Sequence, residues 1–462
     1  MWWSAWNETA EKEGLVNIMV FVSLAVSIVI ILFVILKLKL NPAIALVLGS
    51  IFMGITTGLG AAETIDTISS GFGNLMTGIA LPVGFGVILG QLLSDSGGAK
   101  VIATTMIQKT SEKYALYALG ITAFLLSVPV FYDVTFVILI PLAIAVSRQI
   151  HKPLPYTVGA MIIGAGAAHT LAPPTPNPLA AAEILHFDLG VMVIVGIVLG
   201  LISAIIAMKI FFTLLDKGFW NKEKDETGVE VYEEHISNEK RNEPTFIMSL
   251  IPILLPVVLI LVGTIMGAVM KQVPAAVTFL SNKTVALLLG ALSAYVISAR
   301  AMDKEERDQS ATEALKSCGI VLLITGAGGS FGAIISATGM ADMLADLIQN
   351  ISASPVVALL IAFVIAALFR VALGSGTVAS ITTMTIMASV PAAVGMHPVW
   401  MAIACLSGSL SCGHVNDSGF WVSTNLSGFT ITGGLKSYTL GNAITAVLAM
   451  LFAIIGCLVI PI

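Results

Sequence analysis

Charge is scarce in this sequence. Of its 462 residues only 11% are Asp, Glu, Lys or Arg, against about 25% in a soluble globular domain, while 57% are hydrophobic before the 42 glycines are added. A chain so poor in charge cannot cover a water-facing surface, and one so apolar is no disordered, collagenous or disulfide-rich class. Cysteine is sparse too. Cys318, Cys405, Cys412 and Cys457 sit in apolar stretches with no CxxC pair and no zinc-type spacing, which predicts neither a disulfide nor a metal centre. The 22 basic residues form no long block and the net charge is −5, so nothing points to nucleic acid. No GxxxxGK[ST] loop is present to hold nucleotide phosphates, which disfavours a primary pump.

What is there is long apolar sequence. A helix needs about 20 apolar residues to cross the hydrocarbon core of a bilayer. Charge-free runs approach or exceed that length at 14–36, 40–62, 67–94, 189–208, 244–270, 317–341 and 437–462, with a shorter one at 284–299. The residues before the first run, MWWSAWNETAEKEG, are acidic rather than basic, so that run is expected to stay as a span rather than be cleaved. Longer stretches at 114–147, 153–182, 347–369 and 371–416 are interrupted by Pro, Gly and single charges and are not simple spans. Lys and Arg concentrate in cytoplasmic loops. Placing both termini outside puts 18 of the 22 basic residues inside, with only Lys12, Lys271 and Lys283 outside and Arg370 at membrane depth. That solution requires 114–148 to enter from the cytoplasm and return to it as a re-entrant hairpin with its tip at Val128–Asp133.

The chain aligns with itself at an offset of 242. Gly84, Gly86, Gly90, Ser94, Gly97, Ala99 and Ala103 fall on Gly326, Gly328, Gly332, Ser336, Gly339, Ala341 and Ala345, and Asp133 and Thr135 fall on Ser375 and Thr377. Each half then holds five crossings and one hairpin, and an odd number of crossings turns the second half upside down. The expected fold is an all-α polytopic membrane protein: a first inverted repeat at 1–215, a cytoplasmic linker at 216–244, a second repeat at 245–462, and hairpins near 114–148 and 354–390. Inverted repeats with helices broken at mid-membrane are the signature of secondary transporters, because unpaired backbone at that depth must line a cavity or be buried in protein.

The polar residues at these breaks carry the expected chemistry. Asp133 is a carboxylate within an apolar hairpin, where charge costs about 2.5–3.5 kcal/mol on insertion scales, so it is expected to couple to protons, bind substrate hydroxyls, or pair across to the opposing break. Arg370, five residues before Ser375, offers a planar fork for a carboxylate and implies an anionic substrate; it could instead neutralise a half-helix C-terminus or pair with an Asp. His414, Asn416, Asp417 and Ser418 crowd polar groups between apolar stretches, and Asp417 or Ser418 can cap a half-helix whose positive end faces an anion. His169, Thr175 and Asn177 form the counterpart in the first half. Arg370, Ser375, Thr377, Asn177, Asn416, Ser418 and Tyr132 are thus the expected substrate-binding residues, and Asp133, His414, Asp417 and His169 the expected proton-coupling residues.

The stretches SGFGNLMTGIALPVGFGVILGQLLSDSGGAKVIA (70–103), VPVFYDVTFVILIPLA (128–143), HTLAPPTPNPLAAA (169–182), RVALGSGTVASITT (370–383) and GHVNDSGFWV (413–422) resemble the gluconate permease family of the ion-transporter superfamily. The resemblance covers nearly the whole chain, and its last motif is the most specific. It implies a proton-coupled symporter for gluconate-like sugar acids in the plasma (inner) membrane, a homodimer whose transport domains move past a scaffold in an elevator-like way, and no cofactor beyond the proton gradient. The family's gluconate transporters show patterns like PVFFDVG and PPHPGP where this chain has Tyr132, Thr135, Thr175 and Asn177, so the hydroxy acid is left open. A sodium-driven carboxylate symporter fits the same architecture. A membrane hydrolase built on His414 and Asp417 is the rival from another class, though neither HExxH nor a serine elbow is present; a channel is the remaining alternative.

Overall fold

The computed structural model describes residues 19–35, 37–227, 242–270, 272–338, 354–415 and 417–460. Helices dominate, and among the described residues no strand occurs beyond a single bridge between Glu226 and Phe429. The first half contains α1 (Met19–Ile35), α2 (Pro42–Thr56), α3 (Ala61–Asp95), α4 (Gly98–Gln108), α5 (Ala115–Ser127), α6 (Tyr132–Gln149), α7 (Leu154–Leu171), α8 (Pro176–Ile184) and α9 (Leu189–Asp216). The second contains α10 (Phe246–Val269), α11 (Lys283–Ser298), α12 (Lys304–Ala337), α13 (Pro355–Leu373), α14 (Gly376–Ile386), α15 (Pro398–Ser411), α16 (Ser418–Leu426) and α17 (Leu440–Val459). Seven described helices are long and apolar enough to cross a bilayer, or eight if the bent pair Ala275–Ser281 and Lys283–Ser298 is one span. This is a polytopic membrane protein. Apolar side chains such as Phe33, Leu81, Val296 and Leu368 stay exposed on the helix surfaces, as lipid-facing groups do.

Helix bounds recur at the offset read from the sequence. Pro176 and Ser418 open α8 and α16, and Ile184 and Leu426 close them, both pairs 242 apart. Asp95 and Ala337, at the ends of α3 and α12, are separated by the same 242. The aligned residues Gly339, Ala341 and Ala345 lie outside the described residues.

The two longest helices pack on each other through small residues. A methyl on Gly71 of α3 would lie 2.8 Å from the Gly329 carbonyl oxygen of α12, and one on Gly329 would lie 2.9 Å from that of Gly71. At this crossing Ser330 donates to the Ile68 carbonyl at 2.8 Å. Such close backbone approach replaces the hydrophobic drive that lipid cannot supply between apolar helices. The α3–α12 pair gathers α2, α10 and α11 around it, while α5–α9 and α13–α17 pack mainly among themselves.

Four interruptions divide the second group. Between α5 and α6 the chain passes through Val128, Pro129, Val130 and Phe131; between α7 and α8 it passes through Ala172, Pro173, Pro174 and Thr175. Gly374, at φ +76°, ends α13, and a side chain there would be strained. Residues 412–417 separate α15 from α16. Pro and Gly explain the first three. In the last, Asp417 caps α16 by accepting from the Gly419 amide at 3.1 Å.

Candidate functional site

Residues from three of the interruptions, and His169, Thr170 and Asn177 on either side of the Ala172–Thr175 break, line one cavity of about 640 Å3. Its wall takes Tyr132 and Asp133 from the start of α6, Asn177 from α8, Gly376 and Thr377 from α14, and Ser418 and Gly419 from α16. The first turns of four helices therefore face a single space. First-turn amides lack partners within their own helix and carry the positive end of the helix dipole, which favours an anion; α6, α14 and α16 supply most of them, since Pro176 and Pro178 in the first turn of α8 have no N–H.

Arg370 sits in the last turn of α13 and is 5% exposed. Its Nη1 donates to the Gly374 carbonyl at 2.5 Å, which closes the end of α13, and its Nη2 donates to Oδ2 of Asp417, itself 9% exposed. Nη2 also reaches the Tyr438 hydroxyl at 3.4 Å, and Tyr438 donates to the same Asp417 oxygen at 2.5 Å. The fork expected to be open for a substrate carboxylate is thus already shared between a helix terminus and an internal carboxylate. Both alternatives read for Arg370 from the sequence, helix-end neutralisation and pairing with an Asp, hold at once in this structure.

Two glycines make the pair possible and a third makes room for Tyr438. A methyl on Gly413 would lie 2.8 Å from Asp417 Oδ2 and 3.0 Å from the Arg370 guanidinium carbon. One on Gly376 would lie 3.3 Å from Arg370 Nη1, and one on Gly419 would lie 2.8 Å from the Tyr438 hydroxyl. The glycines bounding Gly413–Gly419 and opening α14 are where backbone closes over the buried charges.

Nine of the eleven expected site residues line this cavity: Arg370, Ser375, Thr377, Asn177, Ser418, Tyr132, Asp133, Asp417 and His169. Asn416 lies outside the described residues. His414 is half-buried and is not on the wall; its carbonyl accepts the Asp417 amide at 2.9 Å, which helps to place the cap. The Tyr132 hydroxyl pairs with Ser423 at 2.7 Å while Ser423 donates to the Gly419 carbonyl, so its proton is taken and only its oxygen is left to accept from a substrate. Ser375 accepts from the Val378 amide at 3.3 Å, capping α14, and keeps its proton for another acceptor. Asn177 Oδ1 and His169 Nδ1 are buried without a hydrogen-bond partner among the described residues.

The polar wall residues that sequence reasoning missed include Thr170, Ser409, Tyr438 and Asn442; the last two are the most telling. Tyr438 and Asn442 lie one helical turn apart in a run read as a plain span, and that spacing of two polar groups on one face is the available signal. Asn442 is 1% exposed and its Oδ1, too, has no partner among the described residues.

Membrane-length helices whose breaks enclose a polar, anion-favouring cavity define a multi-pass membrane transporter. The model of the GntP family permease matches residues 19–459, and the chain belongs to that family. It is 33% identical over 423 residues to an uncharacterized permease of Haemophilus influenzae, covering 88% of this chain and 86% of that one. It is 32% identical over 455 residues to a high-affinity gluconate transporter of Escherichia coli, covering 95% and 99%. The solved structure of Neisseria gonorrhoeae MtrF, described as illuminating a class of antimetabolite efflux pumps, shares the fold at 14% identity and a TM-score of 0.63, covering 87% of this chain and 86% of that one. These relatives are permeases or transporters, and the hydrolase reading falls with them.

Proposed function

We propose that the protein takes up gluconate or a related hydroxy acid together with protons by elevator-type alternating access. The observation that carries this reading is the cavity itself, where four helix N-termini surround one guanidinium and two carboxylates, Arg370, Asp417 and Asp133. With all three ionised the wall already has an excess negative charge, and an incoming carboxylate would add to it. One proton on Asp417 relieves both problems. It removes a negative charge, and it takes away the acceptor that holds Arg370 Nη2, which then turns to the substrate carboxylate. Asp133 is the second place for a proton, and His169 and His414 stand nearby in sequence or space as further candidates. Asn177, Ser375, Thr377, Ser418 and Asn416 hold the hydroxyls. Occupation and proton binding thus favour each other, which is the requirement of a symporter.

The recurrence of helix bounds at 242 supports an inverted repeat, with 114–148 and 354–390 as re-entrant hairpins and both termini outside the plasma membrane. The clustering of α2, α3 and α10–α12 apart from α5–α9 and α13–α17 supports a scaffold and a moving body, and the cavity wall comes from the second group except for Ile320 of α12, which sets the site at the boundary between them. Purified protein in liposomes tests the reading: labelled gluconate accumulates under an inward proton gradient without Na+. Uptake that needs Na+ and ignores the pH gradient, or conduction without accumulation, removes it.

A further inference from the structure

Among the described residues hydrogen-bonded to Asp417, Tyr438 is the one whose side chain can serve it in both of its protonation states. A guanidinium only donates, so Arg370 can pair with a carboxylate but not with the proton of a carboxylic acid. A phenol hydroxyl donates and accepts. At present Tyr438 donates to Asp417 Oδ2 at 2.5 Å while the Gly419 amide holds Oδ1 at 3.1 Å. When a proton arrives on Oδ2, the new O–H can donate to the Tyr438 oxygen, and the phenol proton rotates toward the cavity.

The fold fixes Tyr438 for such a task. It lies in a π-helical turn, Leu435–Thr439, a local irregularity that recurs at functional sites. The residues beside it are tied down one by one. Lys436 donates to buried Asp225 at 2.7 Å and to the Phe219 carbonyl at 2.9 Å. Ser437 donates to the Gly433 carbonyl at 2.8 Å, and Thr439 donates to that of Gly413 at 2.6 Å. The ring stands edge-on to Tyr132 and Phe420, with centroids 5.8 and 6.0 Å away. Gly419 leaves room for the hydroxyl.

We propose that Tyr438 is the positioning residue that keeps Asp417 paired through proton uptake and release, so that only Arg370 changes partner. This rests on the coupling role given to Asp417 above. The other titratable groups facing the pair are Tyr132 and Asp133 of α6, His169 of α7 and Arg370 of α13, with His414 three residues before the cap.

The test needs no substrate. In pH-difference infrared spectra of the purified full-length protein, the carboxylic C=O band that Asp417→Asn removes is expected to move in frequency in Tyr438→Phe. The carboxylate stretch of the ionised form should move as well, because the phenol is lost from both protonation states. Melting temperature reports whether the variant folds. Gly419→Ala provides a second route, since it retains the phenol but its methyl displaces the hydroxyl, and the same band should respond. An unchanged carboxylic band in a folded Tyr438→Phe, or no band that Asp417→Asn removes, overturns the proposal. Failure of the wild type to accumulate gluconate would sink the functional reading and leave this result standing.

Discussion

Arg370 and Asp417 come from two helix breaks 47 residues apart and are joined by a buried ion pair. Both side chains are largely buried, so removing one strands the other. Arg370→Ala should cost about 3–5 kcal/mol of stability, and the double variant Arg370→Ala with Asp417→Ala should melt higher than that single variant. Thermal unfolding in detergent checks the order. A single variant as stable as the double would mean that the two charges are not coupled.

Transport should separate the partners differently. Asp417→Asn keeps a polar group of the same shape but cannot be ionised, so it is expected to lose pH-driven accumulation by about tenfold or more while retaining gluconate counterflow. Arg370→Ala should lose both. Initial rates in liposomes with and without a pH gradient give the comparison. Retained gradient-driven uptake in Asp417→Asn would move the coupling proton to Asp133.

Much of this site is legible in the sequence because broken membrane helices announce themselves. Pro129, the Pro173–Pro174 pair, Gly374 with Gly376, and the run from Gly413 to Gly419 are residues that apolar spans do not otherwise need. The pairing of Arg370 with Asp417 is not legible in the same way, since two polar residues in separate breaks reveal their contact only once the breaks are packed together. Tyr438 was hidden by its neighbours, being amphipathic within an apolar run. The start of α3 lies ahead of the charge-free run for a simpler reason. Glu63 and Asp66 in its first turns make the run begin at 67, whereas the helix begins at Ala61, after Gly58 and Gly60 at positive φ.

The connector also differs from its sequence reading. A mixed charge run at 216–244 reads as a solvated linker, yet its first residues dock on the loop after α16. Trp220 stacks edge-on against Phe429 with centroids 4.7 Å apart, Thr227 donates its amide to the Gly428 carbonyl at 2.9 Å, and Asp225 is fully buried against Lys436. Asp225→Ala should therefore destabilise the protein by about 3 kcal/mol, because it leaves Lys436 facing a buried gap. The double variant Asp225→Leu with Lys436→Met should recover part of that loss. A drop in melting temperature no larger than that of an exposed control such as Glu305→Ala would show that the connector does not brace the loop.

Lys283 of α11 and Glu183 of α8 pair at 2.5 Å, with side chains 29% and 32% exposed, across the two groups of helices. If those groups slide in the transport cycle, the pair must open each time. Charge reversal at either residue should slow uptake severalfold without a matching change in KM, and the exchanged pair Lys283→Glu with Glu183→Lys should recover most of the rate. Initial rates at saturating substrate decide it. Equal losses in the single and exchanged variants would show that each residue acts alone.

Asn177 bears on which acid is carried. Its side chain is 4% exposed on the cavity wall, and its Oδ1 has no protein partner among the described residues, an arrangement that is costly unless a ligand hydroxyl or a water fills it. A site built to hold a hydroxyl discriminates against acids that lack it. Asn177→Ala is expected to raise KM for gluconate by about five- to tenfold, the equivalent of one hydrogen bond, while changing KM less for a short hydroxy acid such as glycerate that cannot reach α8. The measurement is a KM panel across acids of graded length. A uniform change over the panel would mean that Asn177 shapes the cavity rather than reads the chain of hydroxyls.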